Sequence, residues 1–299
     1  MAKINHMRVF VTGATGFIGS IVVEDLIHAG HQVLGLSRSD AGAKFLTDAG
    51  AEVHRGDIYD LDSMRSGAAK ADGVIHCAFD HDFRKFAETC ETDRKVIEAL
   101  GAELAGSNRH LVITSGTGRS ASGLPRTEED PLIPSSIFPR GASEEAAESL
   151  LAKGVSVSVI RLPQVHDPYK QGLITPLIAV ARQKGVSAYV GDGTNRWPAA
   201  HRLDAAALYR LALEKAVAGA RYNAVGEEGI PLREIAESIG RGLKIPVVSL
   251  SPEKVGEHFG WLSMVVDIDM PASSVLTQQW LGWKPTHAGL IADLDLAKF

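Results

Sequence analysis

The feature that most constrains the fold of this chain is a glycine-rich turn close to its N-terminus. The turn reads Thr12-Gly13-Ala14-Thr15-Gly16-Phe17-Ile18-Gly19 and follows the apolar run Met7-Arg8-Val9-Phe10-Val11. This order predicts a strand, a tight loop and a buried helix that begins near Gly16. The three glycines permit a sharp turn, a close approach of the backbone to a pyrophosphate, and tight packing of helix on strand. Because the helix would direct its first N–H groups at the phosphates, the turn predicts a nucleotide-phosphate site.

Composition narrows the class of protein. Of the 299 residues, 45% are hydrophobic and 22% are charged, which is typical of a soluble globular protein of one large or two modest domains. No apolar run approaches the roughly 20 residues of a transmembrane helix. The net charge of −5 disfavours a nucleic-acid partner. The two cysteines, Cys77 and Cys90, favour buried thiols in a reducing compartment. We therefore expect a cytoplasmic protein with neither a nucleic-acid nor a membrane partner.

Strand-like and helix-like segments alternate through the first half of the chain. Further strands are predicted at 31–36, 51–54, 73–78, 110–114 and 156–160. Helices are predicted at 41–49, after Asp60, at 83–104 and at 142–153. Nearly continuous apolar strands separated by helices predict an α/β fold, with a doubly wound parallel sheet covered on both faces.

The second half changes character and sets the expected domain boundary. Prolines and the turn Gly191-Asp192-Gly193 break it into shorter segments. Helices are predicted at 203–216 and 232–243, and a strand that returns to the sheet is predicted near 220–226. We expect a nucleotide-binding core over 1–162 and a smaller substrate-binding lobe over 163–299.

Several motifs together resemble the extended and atypical short-chain dehydrogenase/reductases, the superfamily of epimerases, dehydratases and 3β-hydroxysteroid dehydrogenases. The resemblance covers almost the whole chain and is carried by the glycine turn, Gly56-Asp57-Ile58, Val74-Ile75-His76-Cys77-Ala78, Arg161-Leu162-Pro163-Gln164-Val165 and His201-Arg202-Leu203-Asp204. It implies a Rossmann-type fold in which Asp57 contacts the adenine, Cys77-Ala78-Phe79 lines the cofactor, and the Pro163-Gln164-Val165 turn lies beside the nicotinamide. The cofactor-binding residues expected are Gly13, Thr15, Gly16, Phe17, Ile18, Ser37, Arg38, Asp57, Ile58, Cys77, Ala78, Phe79, Thr114, Pro163, Gln164 and Val165.

The end of the second strand bears on the choice of dinucleotide. NAD-binding folds usually carry an acidic residue about 20 positions after the glycines, where it accepts the ribose 2′-OH. Here the strand ends Leu36-Ser37-Arg38-Ser39, which lacks an acid and offers a guanidinium suited to a 2′-phosphate. This favours NADP over NAD. The alternative is that Arg38 is a solvated loop cation paired with Asp40.

The catalytic positions depart from the family pattern. The resemblance implies a Tyr and, four residues later, a Lys on one helix, with a Ser or Thr after the fifth strand. At the matching helix Arg140 stands at the tyrosine position and Glu144 at the lysine position, and none of the five tyrosines has a lysine four residues on. The segment Thr114-Ser115-Gly116-Thr117 still offers hydroxyls, and we expect Ser115 or Thr117 to hydrogen-bond the reacting oxygen.

Three explanations for Arg140 and Glu144 stay open. They could form a different polar site, in which Arg140 clamps a carboxylate or stabilises an oxyanion and Glu144 acts as acid or base if burial raises its pKa. They could instead form a plain intrahelical ion pair, since they lie one turn apart. Alternatively, the fold binds its cofactor without turning it over.

Four further side chains are candidates for substrate contact: His81, His166, Trp197 and His201. Each also has a structural interpretation. His81 could cap the long helix, a lone histidine such as His166 is often structural, and Trp197 could pack in the core as readily as stack on a planar substrate. The histidines lack metal-ligand spacing, so no metal is expected.

Taken together, the sequence predicts an NADP-dependent oxidoreductase that acts on a carbonyl or alcohol of a small organic substrate. An epimerase or dehydratase with tightly held cofactor is one alternative. A non-catalytic NADP-binding sensor, as in NmrA-like regulators that also lack the tyrosine, is another. The resemblance further implies a possible homodimer, formed through the helices near 83–104 and 140–153.

Overall fold

The computed structural model describes residues 6–120 and 122–298 of the chain. Its strands are β1 Arg8–Thr12, β2 Gln32–Ser37, β3 Glu52–Arg55, β4 Gly73–His76, β5 His110–Gly116, β6 Val157–Leu162, β7 Gln164–Asp167, β8 Lys170–Gln171, β9 Ser187–Val190, β10 Arg196–His201, β11 Arg221–Asn223, β12 Glu227–Pro231 and β13 Val247–Leu250. Its α-helices are α1 Gly19–His28, α2 Asp40–Asp48, α3 Leu61–Ala69, α4 Phe86–Leu104, α5 Gly141–Ala152, α6 Ile174–Lys184, α7 Arg202–Lys215, α8 Leu232–Leu243, α9 Val255–Phe259, α10 Val275–Leu281 and α11 Leu290–Leu296. Short 3₁₀ helices lie at Phe83–Lys85, Pro252–Lys254 and Gly260–Met264.

The chain divides into two compact units. The first contains the described residues up to Gly116, together with Pro131–Arg161 and Ala206–Tyr222. The second contains the described residues of Thr117–Asp130, Leu162–Ala205 and the chain from Asn223 onward. The predicted boundary after residue 162 lies next to the transition at Arg161. The structure differs from the prediction in assigning 117–130 to the second unit and 206–222 to the first.

A seven-stranded sheet forms the centre of the first unit. Its strand order is β11-β6-β5-β4-β1-β2-β3, in which β4 is the central strand and β1 lies between β4 and β2. Both of these neighbours run parallel to β1, as β3 does to β2 and β5 does to β4. The order reverses direction at β1, so right-handed crossovers place helices on both faces. The predicted α/β, doubly wound parallel sheet is confirmed, and β11 lies where a returning strand was predicted.

The helices of one face enclose the core of this unit. Helix α4 packs between α3 and α5. It places one apolar stripe, which includes Val96, Ile97 and Leu100, against buried residues of the strands such as Phe10 and Leu111. Side chains of this kind, fully removed from water, each contribute about 1.5–3 kcal/mol to folding.

The second unit contains two smaller sheets. One has the order β12-β10-β7-β8, with β7 parallel to β10 and the outer pairs antiparallel. The other pairs β9 with β13 in parallel. Helices α6, α8 and α11 contribute to its apolar core, which contains Trp197 and Phe259. Among the described residues, none of the helices combines the length and hydrophobicity required to cross a bilayer.

Two local predictions were wrong. Helix α1 begins at Gly19 and not near Gly16, because residues 13–18 form turns before the regular helix starts. The segment Pro163-Gln164-Val165 was predicted to be a turn, but Gln164 and Val165 belong to β7 and are buried. Gln164 and Val165 pair with β10, about 30 residues later in the chain, so their pairing has no local signal.

Candidate functional site

The glycine turn lies at the carboxyl end of β1, and its three glycines meet different constraints. Gly13 has a φ of +65°, and a Cβ there would lie 2.7 Å from the backbone nitrogen of Ala78. A Cβ on Gly19 would overlap the carbonyl oxygen of Gly13, so this glycine permits the close packing of α1 on the loop. Gly16 donates its N–H to that carbonyl at 2.8 Å and is exposed. The loop therefore has the turn, the close helix approach and the open backbone face that a pyrophosphate requires.

The other residues predicted in this loop surround its open face. Thr15 is exposed, and Phe17 and Ile18 are half-buried. The exposed residues Thr15 and Gly16, followed by the start of α1, suit an anion, because the first N–H groups of a helix have no partner within the helix. The geometry of the loop thus fits a dinucleotide phosphate.

Arg38 follows directly after β2 and extends into solvent. Its side chain is 78% exposed, and its Nη1 lies 3.7 Å from Oδ2 of Asp57. The alternative pairing with Asp40 is wrong, since Asp40 forms its ion pair with Arg55. An exposed ion pair of this length contributes little to stability, so it leaves the guanidinium available to a ligand.

The remaining predicted residues of this edge of the sheet lie around the ends of β2, β3 and β4. Ser37 is buried, and Asp57 and Ile58 are half-buried, as are Cys77, Ala78 and Phe79. In β5, Thr114 donates its hydroxyl to the carbonyl of His76 at 2.7 Å. Burial raises the pKa of the Cys77 thiol to about 12, so this thiol stays protonated.

Arg140, at the start of α5, makes a set of contacts with two neighbouring elements. Its Nη1 donates to Oδ2 of Asp93 at 2.6 Å, and its Nη2 donates to the carbonyl of Thr114 at 2.8 Å. The guanidinium carbon also lies 4.2 Å from the centre of the Phe79 ring, within cation–π range. The intrahelical pair with Glu144 is therefore wrong as an explanation of Arg140, because its charge is matched by Asp93 on α4.

Asp93 is the centre of a buried polar network. It accepts hydrogen bonds from Arg140, from the Ser143 hydroxyl at 2.6 Å and from His76 Nε2 at 3.0 Å. Since a carboxylate only accepts, His76 carries its proton on Nε2, and its Nδ1 faces the Thr12 hydroxyl at 2.6 Å. Burial alone would raise the pKa of Asp93, but the charge of Arg140 and the hydrogen bonds outweigh it and hold that pKa well below its usual range. The network thus connects Thr12, the first residue of the glycine turn, to Arg140.

Glu144 is held in a different ion pair. Its carboxylate accepts two hydrogen bonds from Arg161, at 3.0 and 2.8 Å, and a third from Arg221 at 3.2 Å. Only 4% of Glu144 and 1% of Arg161 is exposed. Burial favours a raised pKa, yet the hydrogen bonds and charges of the arginines, with a hydrogen bond to Ser115, lower the pKa of Glu144. The alternative in which burial raises the pKa of Glu144, so that it acts as acid or base, is therefore wrong, because Glu144 stays ionised at neutral pH.

The two predicted hydroxyls differ in their surroundings. Ser115 in β5 is buried and its hydroxyl is hydrogen-bonded to Glu144, which uses the O–H that a substrate oxygen would need. Thr117 is buried at the start of the second unit, where its N–H bonds the carbonyl of Leu162. Contact of Thr117 with a reacting oxygen stays a prediction.

The substrate candidates are divided between the two units. His81 is exposed in the first unit and lies edge-on to Phe79, with 5.3 Å between ring centres. His166 is fully buried in the second unit, and its Nδ1 lies 2.7 Å from Oδ2 of Asp293. His201 packs against His166 and stacks on His287, with 4.9 Å between the latter pair of ring centres. The geometry thus gives His166 and His201 structural partners within the second unit.

Of the two interpretations of Trp197, contact with a planar substrate or packing in the core, the structure supports the core. The side chain is fully buried in the core of the second unit, and its Nε1 donates to the carbonyl of Ile268 at 3.2 Å. We expect Trp197→Phe to lower the free energy of unfolding by about 1–2 kcal/mol, because it loses that hydrogen bond and part of a packed ring. Urea denaturation measures the loss. The dissociation constant for NADPH should not change, and an unaltered stability with weakened ligand binding would contradict the core assignment.

Sequence reasoning missed Asp93, His76, Ser143 and Arg161. One signal was present for Asp93, which occupies the buried face of α4 between Cys90 and Val96. An acidic residue within an otherwise apolar stripe implies a buried partner.

Metal ligands form another class of site. Within residues 6–120 and 122–298, the structure has no cluster of three or more His, Cys, Asp or Glu side chains able to hold a metal ion.

Comparison with known proteins gives similarities over nearly the whole chain. The family described as the NAD dependent epimerase/dehydratase family matches residues 9–225. The uncharacterized protein C2A9.02 of Schizosaccharomyces pombe is 50% identical over 289 residues, which cover 96% of this chain and 98% of that protein. The uncharacterized protein YLL056C of Saccharomyces cerevisiae is 44% identical over 291 residues, with coverage of 96% and 98%. The structure of DesIV, a dTDP-glucose 4,6-dehydratase from Streptomyces venezuelae with NAD bound, has a similar fold, with a TM-score of 0.78, 21% identity and coverage of 98% and 96%.

Proposed function

Because the chain belongs to the NAD dependent epimerase/dehydratase family, we propose that it is an NADP-dependent oxidoreductase acting on a carbonyl or alcohol of a small organic substrate. The observation that carries the proposal is the glycine loop, in which Gly13 and Gly19 form the turn and Gly16 leaves the backbone open. Arg38 supports NADP as the dinucleotide, since it is an exposed guanidinium at the end of β2.

The chemistry of reduction divides between cofactor and protein. When bound, a reduced nicotinamide dinucleotide supplies a hydride to a carbonyl carbon, and the carbonyl oxygen gains a proton to give the alcohol. In this chain Arg140 is suited to stabilise the oxygen, because its guanidinium lies beside the end of β5 and stays charged. It cannot deliver the proton, so solvent water is the proposed proton source.

A direct test separates cofactor binding from turnover. Purified protein is titrated with NADPH and with NADH by calorimetry, and the loss of absorbance of NADPH is then followed with a panel of aldehydes and ketones. The proposal expects tighter binding of NADPH and one alcohol formed for each NADPH consumed. Binding of NADPH without turnover of any carbonyl compound would overturn the proposal that the protein is an oxidoreductase.

The charge of Arg38 gives a sharper prediction for the dinucleotide. We expect Arg38→Asp to weaken NADPH binding by roughly 10- to 100-fold, which corresponds to one lost charge-assisted contact of about 1.5–3 kcal/mol, and to change NADH binding by less than threefold. Calorimetric titration with both dinucleotides measures the two effects.

Arg65→Asp is the matched control for this variant. It makes the same change in charge beside Asp62, much as Arg38→Asp does beside Asp57, but it lies on α3. Equal losses of NADPH and NADH affinity in Arg38→Asp, or an equal loss of NADPH affinity in Arg65→Asp, would exclude a 2′-phosphate contact.

One observation favours a second candidate, a non-catalytic NADP-binding sensor. Glu144 is ionised and bound by Arg161 and Arg221, so it offers no proton at neutral pH. Arg140 likewise cannot donate a proton. This candidate would be supported if the protein binds NADPH tightly but reduces none of the carbonyl compounds tested.

A further inference from the structure

A cluster of aromatic rings lies outside the buried core of the first unit. It consists of Phe79, His81, Phe83, Phe86 and Phe138, with Arg140 over the Phe79 ring. Neighbouring ring centres are between 5.3 and 6.4 Å apart, the separations of edge-on and tilted aromatic pairs. The four phenylalanines are half-buried and His81 is exposed. We call these five rings the aromatic cluster.

The position of the aromatic cluster suits a ligand. Phe79 follows β4 by three residues, and Arg140 binds the carbonyl of Thr114 in the neighbouring strand β5. Open α/β sheets bind their ligands outside the carboxyl ends of the strands. Large rings kept half-exposed at that edge form an apolar surface of the kind that marks a binding site.

The charges beside the aromatic cluster indicate which ligand it takes. Its two neighbouring arginines each have an acidic partner, Asp93 for Arg140 and Asp82 for Arg84. Asp80, which accepts a hydrogen bond from the Tyr59 hydroxyl, adds a negative charge. A phosphate would meet two arginines that are already paired with acids, the exposed Lys85 and a further acid, whereas an uncharged ring would stack without a charge cost.

We propose that the aromatic cluster is the substrate site and that the substrate class is an uncharged, planar aromatic carbonyl compound. This inference rests on the proposed function. The rings of Phe83, Phe86 and Phe138 hold the aromatic part, and Arg140 donates a hydrogen bond to the carbonyl oxygen. The site selects against nucleotide sugars, whose phosphates it does not neutralise.

Binding of unreactive probes tests this site independently of turnover. Benzamide, cyclohexanecarboxamide and UDP-glucose are titrated by calorimetry with and without NADPH. We expect benzamide to bind about fivefold more tightly than cyclohexanecarboxamide, and more tightly than UDP-glucose, because only the planar ring gains aromatic contacts. Equal affinity of the two amides, or tighter binding of UDP-glucose, would overturn the proposal.

Two leucine variants test whether benzamide binds at the aromatic cluster. Phe138→Leu keeps the apolar character but removes a ring, and it should reduce the preference for benzamide to about twofold or less. Phe45→Leu, an equal change at a 38% exposed ring on α2, should leave the preference intact. If Phe138→Leu does not fold, Phe83→Leu serves in its place, and an equal effect in Phe45→Leu overturns the assignment.

The outcomes also distinguish this inference from the proposed function. Benzamide binding with no NADPH binding would overturn the dinucleotide proposal and leave the aromatic site standing. NADPH binding and carbonyl turnover without any preference for benzamide would overturn the aromatic site alone.

Discussion

Glu144→Gln is expected to lower the free energy of unfolding by about 3–5 kcal/mol, because it leaves the charge of the buried Arg161 without its acidic partner. The side chain keeps its shape, but Arg161 loses its countercharge while only 1% of it is exposed. An uncompensated buried guanidinium carries a desolvation cost that its remaining hydrogen bonds do not offset. Urea denaturation of both proteins at pH 7 measures the difference.

Glu148→Gln is the control for this variant. Glu148 lies on the same helix and binds the same Arg221, at 2.7 Å, but its side chain is 52% exposed. We expect its loss to cost less than about 1 kcal/mol, as is usual for exposed ion pairs. A loss in Glu144→Gln no larger than that of the control would show that burial does not set the strength of the Glu144 contacts.

A double variant identifies the physical cause of the loss. In Glu144→Leu with Arg161→Met, both buried charges are absent, and Arg221 keeps its partner Glu148. Replacement of a whole buried pair by apolar side chains is often neutral, so this protein should recover most of the stability that Glu144→Gln loses. No recovery would assign the loss to packing around α5 and not to an unpaired charge.

The fold was predictable because its signals are local. The glycine turn combines a positive φ and a close backbone contact at Gly13 with a tight helix approach at Gly19, and a Cβ would clash with backbone atoms at both positions. Helix α8 was predicted over its full length, 232–243, from its apolar stripe. Runs of buried apolar residues between helices likewise require a parallel sheet.

The candidate site was less predictable because its partners are distant in sequence. Arg140 binds Asp93, 47 residues earlier, and Glu144 binds Arg161, 17 residues later. Helical spacing brings Arg140 and Glu144 to one face but does not show which neighbours compete for them. In each case a buried partner on another element offers an ion pair that solvent screens less, and that is therefore stronger than one with the neighbour one turn away.

These partners also change what the departure from the family pattern means. The positions at which the resemblance expects tyrosine and lysine are filled by two charges, each neutralised separately inside the first unit. Arg140 remains 12% exposed at its side chain, whereas Glu144 is enclosed. Arg140 can therefore contact a ligand, and the role of Glu144 is to balance the charge of Arg161 and Arg221.

Asp93→Asn is expected to lower the free energy of unfolding by about 3 kcal/mol at pH 7. The variant leaves Arg140 without its acidic partner, and an amide that accepts from His76, Ser143 and Arg140 has one acceptor oxygen where the carboxylate has two. Glu91→Gln is the matched control on α4, because Glu91 pairs with Arg94 but its side chain is 51% exposed. The control should lose less than about 1 kcal/mol.

The pH dependence of this loss follows from the depressed pKa of Asp93. Its pKa is lower in the folded protein than the value of about 3.9 in an unfolded chain, so ionised Asp93 stabilises the wild type fully above that pH. As the pH falls below about 4, the Asp93 carboxylate binds a proton in the unfolded chain but not in the folded protein. The stabilisation is therefore lost. Asp93→Asn lacks this titration, so the difference between wild type and variant should narrow by about 1 kcal/mol between pH 5 and pH 3. Urea denaturation at both pH values checks this, and a constant difference would show that Asp93 is not the charged centre of the network.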